Sequence, residues 1–172
     1  ALRIIVGLGL IALTQVGPIL ADLVVKSAAA LAAEGRPVDS VVTVAPGVAP
    51  AWDNSCSQIY SRFVSLAPMT GDQRGVQAPC GVLFWIVTGA IAVTRCVGTP
   101  AVDGGRIKLP TPDRVSADGM AMLADIATLE DVIKCDERVR SVVQAIPLPE
   151  AGGLSGIEWQ FTLRIDNCND CA

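Results

Sequence analysis

Cys168-Asn169-Asp170-Cys171 is the one spacing in the chain associated with zinc or redox chemistry, two thiols separated by two residues. A metal centre built on it would need a second such pair or histidines, and the 172 residues contain no histidine. No second CxxC occurs, and this one lies in the last residues instead of at a helix start, so a tail thiol pair is the simpler reading. Lack of histidine also excludes Ser-His-Asp and Cys-His nucleophile pairs. Asp118, Asp125, Glu130 and Asp131 could be imagined as general acids or metal ligands, but on an amphipathic helix they read more simply as its solvated face. Gly7-x-Gly9 lacks the third glycine and the following acidic residue of a dinucleotide fingerprint. Asp103-Gly104-Gly105 is turn chemistry, not a phosphate loop. No catalytic, cofactor or metal site is expected, and the chain does not read as an enzyme.

The cysteines Cys56, Cys80, Cys96, Cys135, Cys168 and Cys171 are many for an ordinary cytosolic domain and too dilute for a stapled mini-scaffold. Residues 80–96 form an apolar, β-branched and aromatic run that reads as a long central strand. At ~3.3 Å per residue its ends lie roughly 50 Å apart, far beyond the ~7 Å Cα limit for a bridge, so Cys80 and Cys96 cannot pair. A hairpin joining a strand over 57–66 to this one would bring Cys56 towards Cys96, because their midpoint falls near Val76 in the presumed turn. Cys56–Cys96 is thus the preferred disulfide, with free buried thiols as the alternative.

These residues must be positioned by an ordered set of elements. The start of the chain, Arg3 followed by Ile4 to Leu13, could pass for a signal peptide. Gln15 and Asp22 keep the run short of a membrane span and Gly7, Gly9 and Gly17 weaken it, so no membrane anchor is expected. From Pro18 the apolar spacing predicts a helix over 18–34, stopped by Gly35-Arg36-Pro37. A short strand over 38–44 and the strand over 57–66 follow, then an exposed polar hairpin tip, 69–79, in which Thr70, Asp72, Gln73 and Arg74 are candidate partner contacts. The central strand, with Gly89 at a bend or close backbone approach, needs a helix on one face and another element or chain on the other. Residues 97–110 read as a flexible connection.

Thr111 as N-cap, Pro112 and Asp113 then open a long helix. Its stripe Val115, Gly119, Met122, Ile126, Leu129 and Ile133, widened by Met120 and Leu123, should pack on the central strand. A strand over 141–146, a Pro/Gly loop over 147–155 and a strand over 156–165 complete the chain. In the last, Ile157, Trp159, Phe161, Leu163 and Ile165 alternate with Glu158, Gln160, Thr162 and Arg164, which face solvent or a partner. The expected architecture is a single α+β domain over 1–172: an N-terminal helix at about 18–34, a core over 38–166 with an antiparallel or mixed sheet of long central strands flanked by two helices, and a tail over 167–172. With 13 basic residues scattered and a net charge of −4, no nucleic-acid grip is expected.

Ala51-Trp52-Asp53, Cys56, Cys80-Gly81, Thr94-Arg95-Cys96-Val97-Gly98-Thr99-Pro100, a Pro-rich linker, a helix with Ala124-Asp125-Ile126 and Cys135, and the closing strand Gly156-Ile157-Glu158-Trp159-Gln160-Phe161-Thr162-Leu163 come in the order seen in one viral family. Over roughly residues 50–166 the chain resembles the tail terminator proteins of long-tailed (siphovirus) actinobacteriophages. The Cys168–Cys171 tail departs from that pattern.

The resemblance implies a structural virion protein, assembled in the host cytoplasm, that forms a six-fold homo-oligomeric ring at the head-tail junction. Such a ring caps the major tail tube protein, ends tail polymerisation and joins the tail to the head connector or stopper. DNA would pass through the lumen without specific binding, which suits the acidic balance. The neighbouring readings are a head-tail adaptor, stopper or minor tail subunit, and, from another class, a secreted disulfide-containing bacterial domain.

Overall fold

A computed structural model describes residues 5–45, 55–69, 84–151 and 153–166, with side chains from residue 14 onward. Its elements are α1 (Ile5–Ala33), β1 (Ser40–Ala45), β2 (Ser57–Met69), β3 (Phe84–Cys96), β4 (Ala101–Asp103), β5 (Arg106–Lys108), α2 (Pro112–Lys134), β6 (Val139–Ala151) and β7 (Leu154–Asp166). Five strands form one mixed sheet in the order β1-β2-β3-β7-β6, and β4-β5 is a separate two-stranded ribbon. The β1-β2 pairing is parallel and the other pairs are antiparallel. The class is α+β, with the run that begins the apolar core of the sequence at the centre of the sheet.

Both helices cover the same face of that sheet. Leu20, Leu23, Val24 and Leu31 of α1 and Leu129 and Ile133 of α2 share one core with Ile59, Val87, Ile91, Val93, Ile157, Phe161 and Leu163. The alternation of β7 sets this: its odd residues point into the helical layer. Gly89 marks a close approach of α1, since a Cβ there would meet Leu20 Cδ2 at 2.7 Å. At Gly156 a Cβ would meet the Val93 carbonyl at 2.0 Å, so only glycine lets β7 lie against β3 there. The opposite sheet face holds a smaller cluster of Ala45, Tyr60 and Ala92, with Val42 and Leu148 against it. Burial pushes the Tyr60 hydroxyl up to about 12, helped by the nearby Glu158 carboxylate.

Several elements differ from the expectations. The first helix begins at Ile5, so Pro18 lies inside it instead of opening it. A proline there removes one backbone hydrogen bond, a loss that burial of the Leu20, Leu23, Val24 and Leu31 side chains offsets. Residues 14–33 are, by length and composition, long and apolar enough to cross a membrane, contrary to the expected interruption at Asp22. Here that helix lays its Leu20, Leu23 and Leu31 face on the sheet. Its stop is as expected: Gly35 has φ +72°, and the Gly35 and Arg36 amides donate to the carbonyls of Ala32 and Leu31.

Much of the expected 147–155 loop is strand, residues 147–151 belonging to β6 and 154–155 to β7. Pro147 pairs with Ile157 and Leu148 with Gly156, and prolines are tolerated because β6 is an edge strand. The connection over 97–110 contains β4 and β5, closed by Gly104 and Gly105 at φ +55° and +79°, the left-handed pair that a tight two-residue hairpin turn requires. The second helix packs mainly over β7 and β6 and beside α1, and reaches the central strand chiefly through the Asp125–Arg95 pair.

An ionic cluster ties α1 to the α2-β6 junction. Arg138 Nε and Nη2 donate to Asp136 at 2.7 and 2.6 Å, Nη2 also reaches Asp22, and Lys26 bonds Asp22 at 2.9 Å and Asp136 at 3.2 Å. Hydrogen bonds from Arg138 hold the Asp136 carboxyl well below the usual carboxylate range, and those from Lys26 and Arg138 lower Asp22. Since both folded values lie below the unfolded ones, this stabilisation is fully present above the ordinary aspartate range and is lost as pH falls from that range through the depressed folded values. Arg138→Gln should therefore weaken the acid dependence of unfolding below about pH 4, measured by urea titration at a series of pH values. An unchanged acid limb would contradict the assignment.

Candidate assembly interface

Asp125 controls the geometry of the second helix. The residue is 1% exposed, and its carboxylate accepts from Arg95 Nε at 2.6 Å, from Arg95 Nη2 at 3.1 Å and from Arg36 Nη1. Arg36 comes directly after the glycine stop of α1 and Arg95 from the end of β3, so three elements meet on one anion. The guanidiniums are themselves fixed: Arg95 donates to the carbonyls of Arg36 at 2.9 Å and Pro37 at 3.2 Å, and Arg36 Nη2 donates to Thr128 Oγ1 at 2.5 Å. Trp159 Nε1 adds a bond to the Ile126 carbonyl at 2.9 Å.

The expected solvated face of α2 is thereby corrected. Asp125 is inside, because two arginines satisfy it there, and rotation of the helix to admit it carries Met120 and Leu123 outward, to 67% and 59% exposure. Val115 and Gly119 are also exposed, while Met122, Ile126, Leu129 and Ile133 face the core. Along the outer side, Met120, Leu123 and Ala127 recur at helical spacing with no charge among them, and Asp113 and Asp131 lie towards the two ends.

A second apolar surface is the β4-β5 ribbon. Val102 and Ile107 are register partners and share a face, and they are 78% and 72% exposed, with Leu109 at 68% just after. The other face carries Ala101, Asp103, Arg106 and Lys108. A two-stranded ribbon is marginal in water without something to pack on. Its root, by contrast, is pinned. Cys96, which ends β3, is bridged to Cys56 with a Cα separation of 4.8 Å, and the Cys96 amide donates to the Cys56 carbonyl at 2.7 Å. Asp118 accepts from the Gly98 amide at 2.8 Å and pairs with Arg114, and Thr111 caps α2 at the far end of the ribbon through the Arg114 amide.

The sheet's other face has a buried ion pair of its own. Glu158, expected at solvent or a partner, is 2% exposed and takes a bidentate pair from Arg62, both bonds 2.7 Å, with Gln160 Nε2 donating at 3.0 Å. Arg62 sits beside Ala90 and Glu158 beside Ala92, so small residues on β3 leave room for the guanidinium to cross between β2 and β7.

Of the residues singled out in the sequence, Cys56 and Cys96 are joined and Cys135 is a free, exposed thiol. Thr70, Asp72, Gln73 and Arg74, and also Cys80, Cys168 and Cys171, lie outside the described residues. Among the described residues no three His, Cys, Asp or Glu side chains gather as a metal site. No protein-family model matches the chain, and no curated protein matches it.

Removing one partner of a buried pair leaves the others' charges uncompensated, at about 3–5 kcal/mol. Asp125→Ala should lower unfolding free energy by that order, read by urea denaturation. A loss under about 1 kcal/mol, the range of an exposed pair, would contradict the role given to Asp125.

Proposed function

We propose that this chain is a structural virion subunit that associates head to tail into a ring at the head-tail junction of a long-tailed phage, where it caps the tail tube, ends tail polymerisation and joins the tail to the head connector. The observation that carries the reading is the coexistence of two exposed apolar surfaces of different shape, a ribbon and a helix face, on one chain. Unlike patches on the same subunit generate heterologous contacts, which close into rings when the rotation per subunit permits. The motif resemblance supports the place of that ring in the particle. A net charge of −4 suits a lumen that DNA crosses without being held.

The Cys56–Cys96 bridge favours a second reading, a secreted or envelope domain, because disulfides persist in oxidising compartments. In the phage reading the two residues are neighbouring thiols while the chain is in the reducing host cytoplasm. Light scattering on the purified protein, alone and with tail tube subunits, separates the two. Rings of about six chain masses of 17.8 kDa, free or formed only on tubes, are expected. A strict monomer indifferent to tubes would overturn the phage reading and favour the secreted one.

A further inference from the structure

We infer that the β4-β5 ribbon of one copy docks on the outer face of α2 of the next copy, and that this contact is the joint of the ring, an inference that rests on the ring reading above. Ribbon and helix face are both exposed within one chain, so they do not cover each other there and each is open to a second copy. Chemistry matches on the two sides. The ribbon offers Val102 and Ile107 on one face, and the cations Arg106 and Lys108 flank Ile107 from the other. The helix offers Met120 and Leu123, bounded by Asp113 about 10 Å towards its start and Asp131 about 12 Å beyond Leu123, at ~1.5 Å per residue. Among the described residues none of these four charges forms a salt bridge, while the other acids of α2 are engaged: Asp118 with Arg114, Asp125 with Arg36 and Arg95, and Glu130 with Lys134. Arg and Lys stems are long enough to lie along apolar surface and still place their charge at its rim.

Each half of the joint is held in place by what surrounds it. The Asp125 clamp fixes which side of α2 faces out, and the Cys96–Cys56 backbone hydrogen bond with the Gly98–Asp118 bond fixes where the ribbon leaves the sheet. The ribbon gains on docking the packing it lacks alone.

A heterologous joint has a signature that mixing reveals. Ile107→Glu spoils the ribbon and leaves the helix face intact; Leu123→Glu does the reverse. Both positions are exposed, so the circular dichroism of each variant should match that of the unaltered protein. Each variant alone is expected to be monomeric by light scattering, and an equimolar mixture should give dimers holding one of each, since a single intact ribbon meets a single intact face. If either variant keeps the ring mass of the unaltered protein, or the mixture stays monomeric, the joint is wrong while the ring reading stands. If the unaltered protein forms no ring, alone or on tubes, both fail. Zero-length carbodiimide coupling of the unaltered protein gives an independent readout: a Lys108 link to Asp113 or Asp131 is expected in oligomers and not in monomers, and oligomers without it would also overturn the joint.

Discussion

One carboxylate between two guanidiniums fixes the arrangement of the helical layer. Asp125 could not be buried alone, since an unpaired anion inside the protein would cost several kcal/mol. Arg36 and Arg95 make its burial tolerable, and in doing so they join the end of α1, the end of β3 and the middle of α2. A buried ion pair of this sort adds little net stability over an apolar contact. What it does add is a unique rotation for α2, because only one phase of the helix brings Asp125 to both arginines.

That rotation has a cost in exposed apolar surface, and the cost is informative. Met120 and Leu123 would have filled a core had the helix turned by a fraction of its circumference; instead they stand in solvent along with Val102, Ile107 and Leu109 of the ribbon. Contiguous exposed apolar surface marks contact sites, whereas single exposed apolar residues are ordinary. The ribbon is anchored as firmly at its root as α2 is in its rotation, so both surfaces are presented in set positions. Preorganised surfaces lose less freedom on association.

The sequence made the regular features plain where local physics decides them. The Thr111 cap, the Gly35 stop, the alternation of β7 and the apolar run of β3 were all readable, as was the proximity of Cys56 to Cys96 once a hairpin was assumed. Long-range pairing was not readable in the same way. Periodicity treats a carboxylate as solvent-seeking, and the partners that reverse this for Asp125 lie 89 and 30 residues away. The available hints were an arginine placed just after a helix stop and another ending an apolar strand. Glu158 was misplaced for the same reason, and Ala90 and Ala92, small residues in a bulky strand, were the trace of the Arg62 side chain passing over them. The prolines of β6 suggested a loop because nothing local says that a strand will lie at a sheet edge.

Methionine oxidation footprinting, read by mass spectrometry, distinguishes the two sides of α2, since Met120 and Met122, two residues apart, face opposite ways. The account predicts that Met120 oxidises quickly in dilute protein and is protected in the assembled ring, while Met122, packed against the core, is slow in both. Equal reactivity of the two in the free protein would contradict the phase set by Asp125. A Met120 that stays reactive in the assembled ring would contradict its burial between subunits.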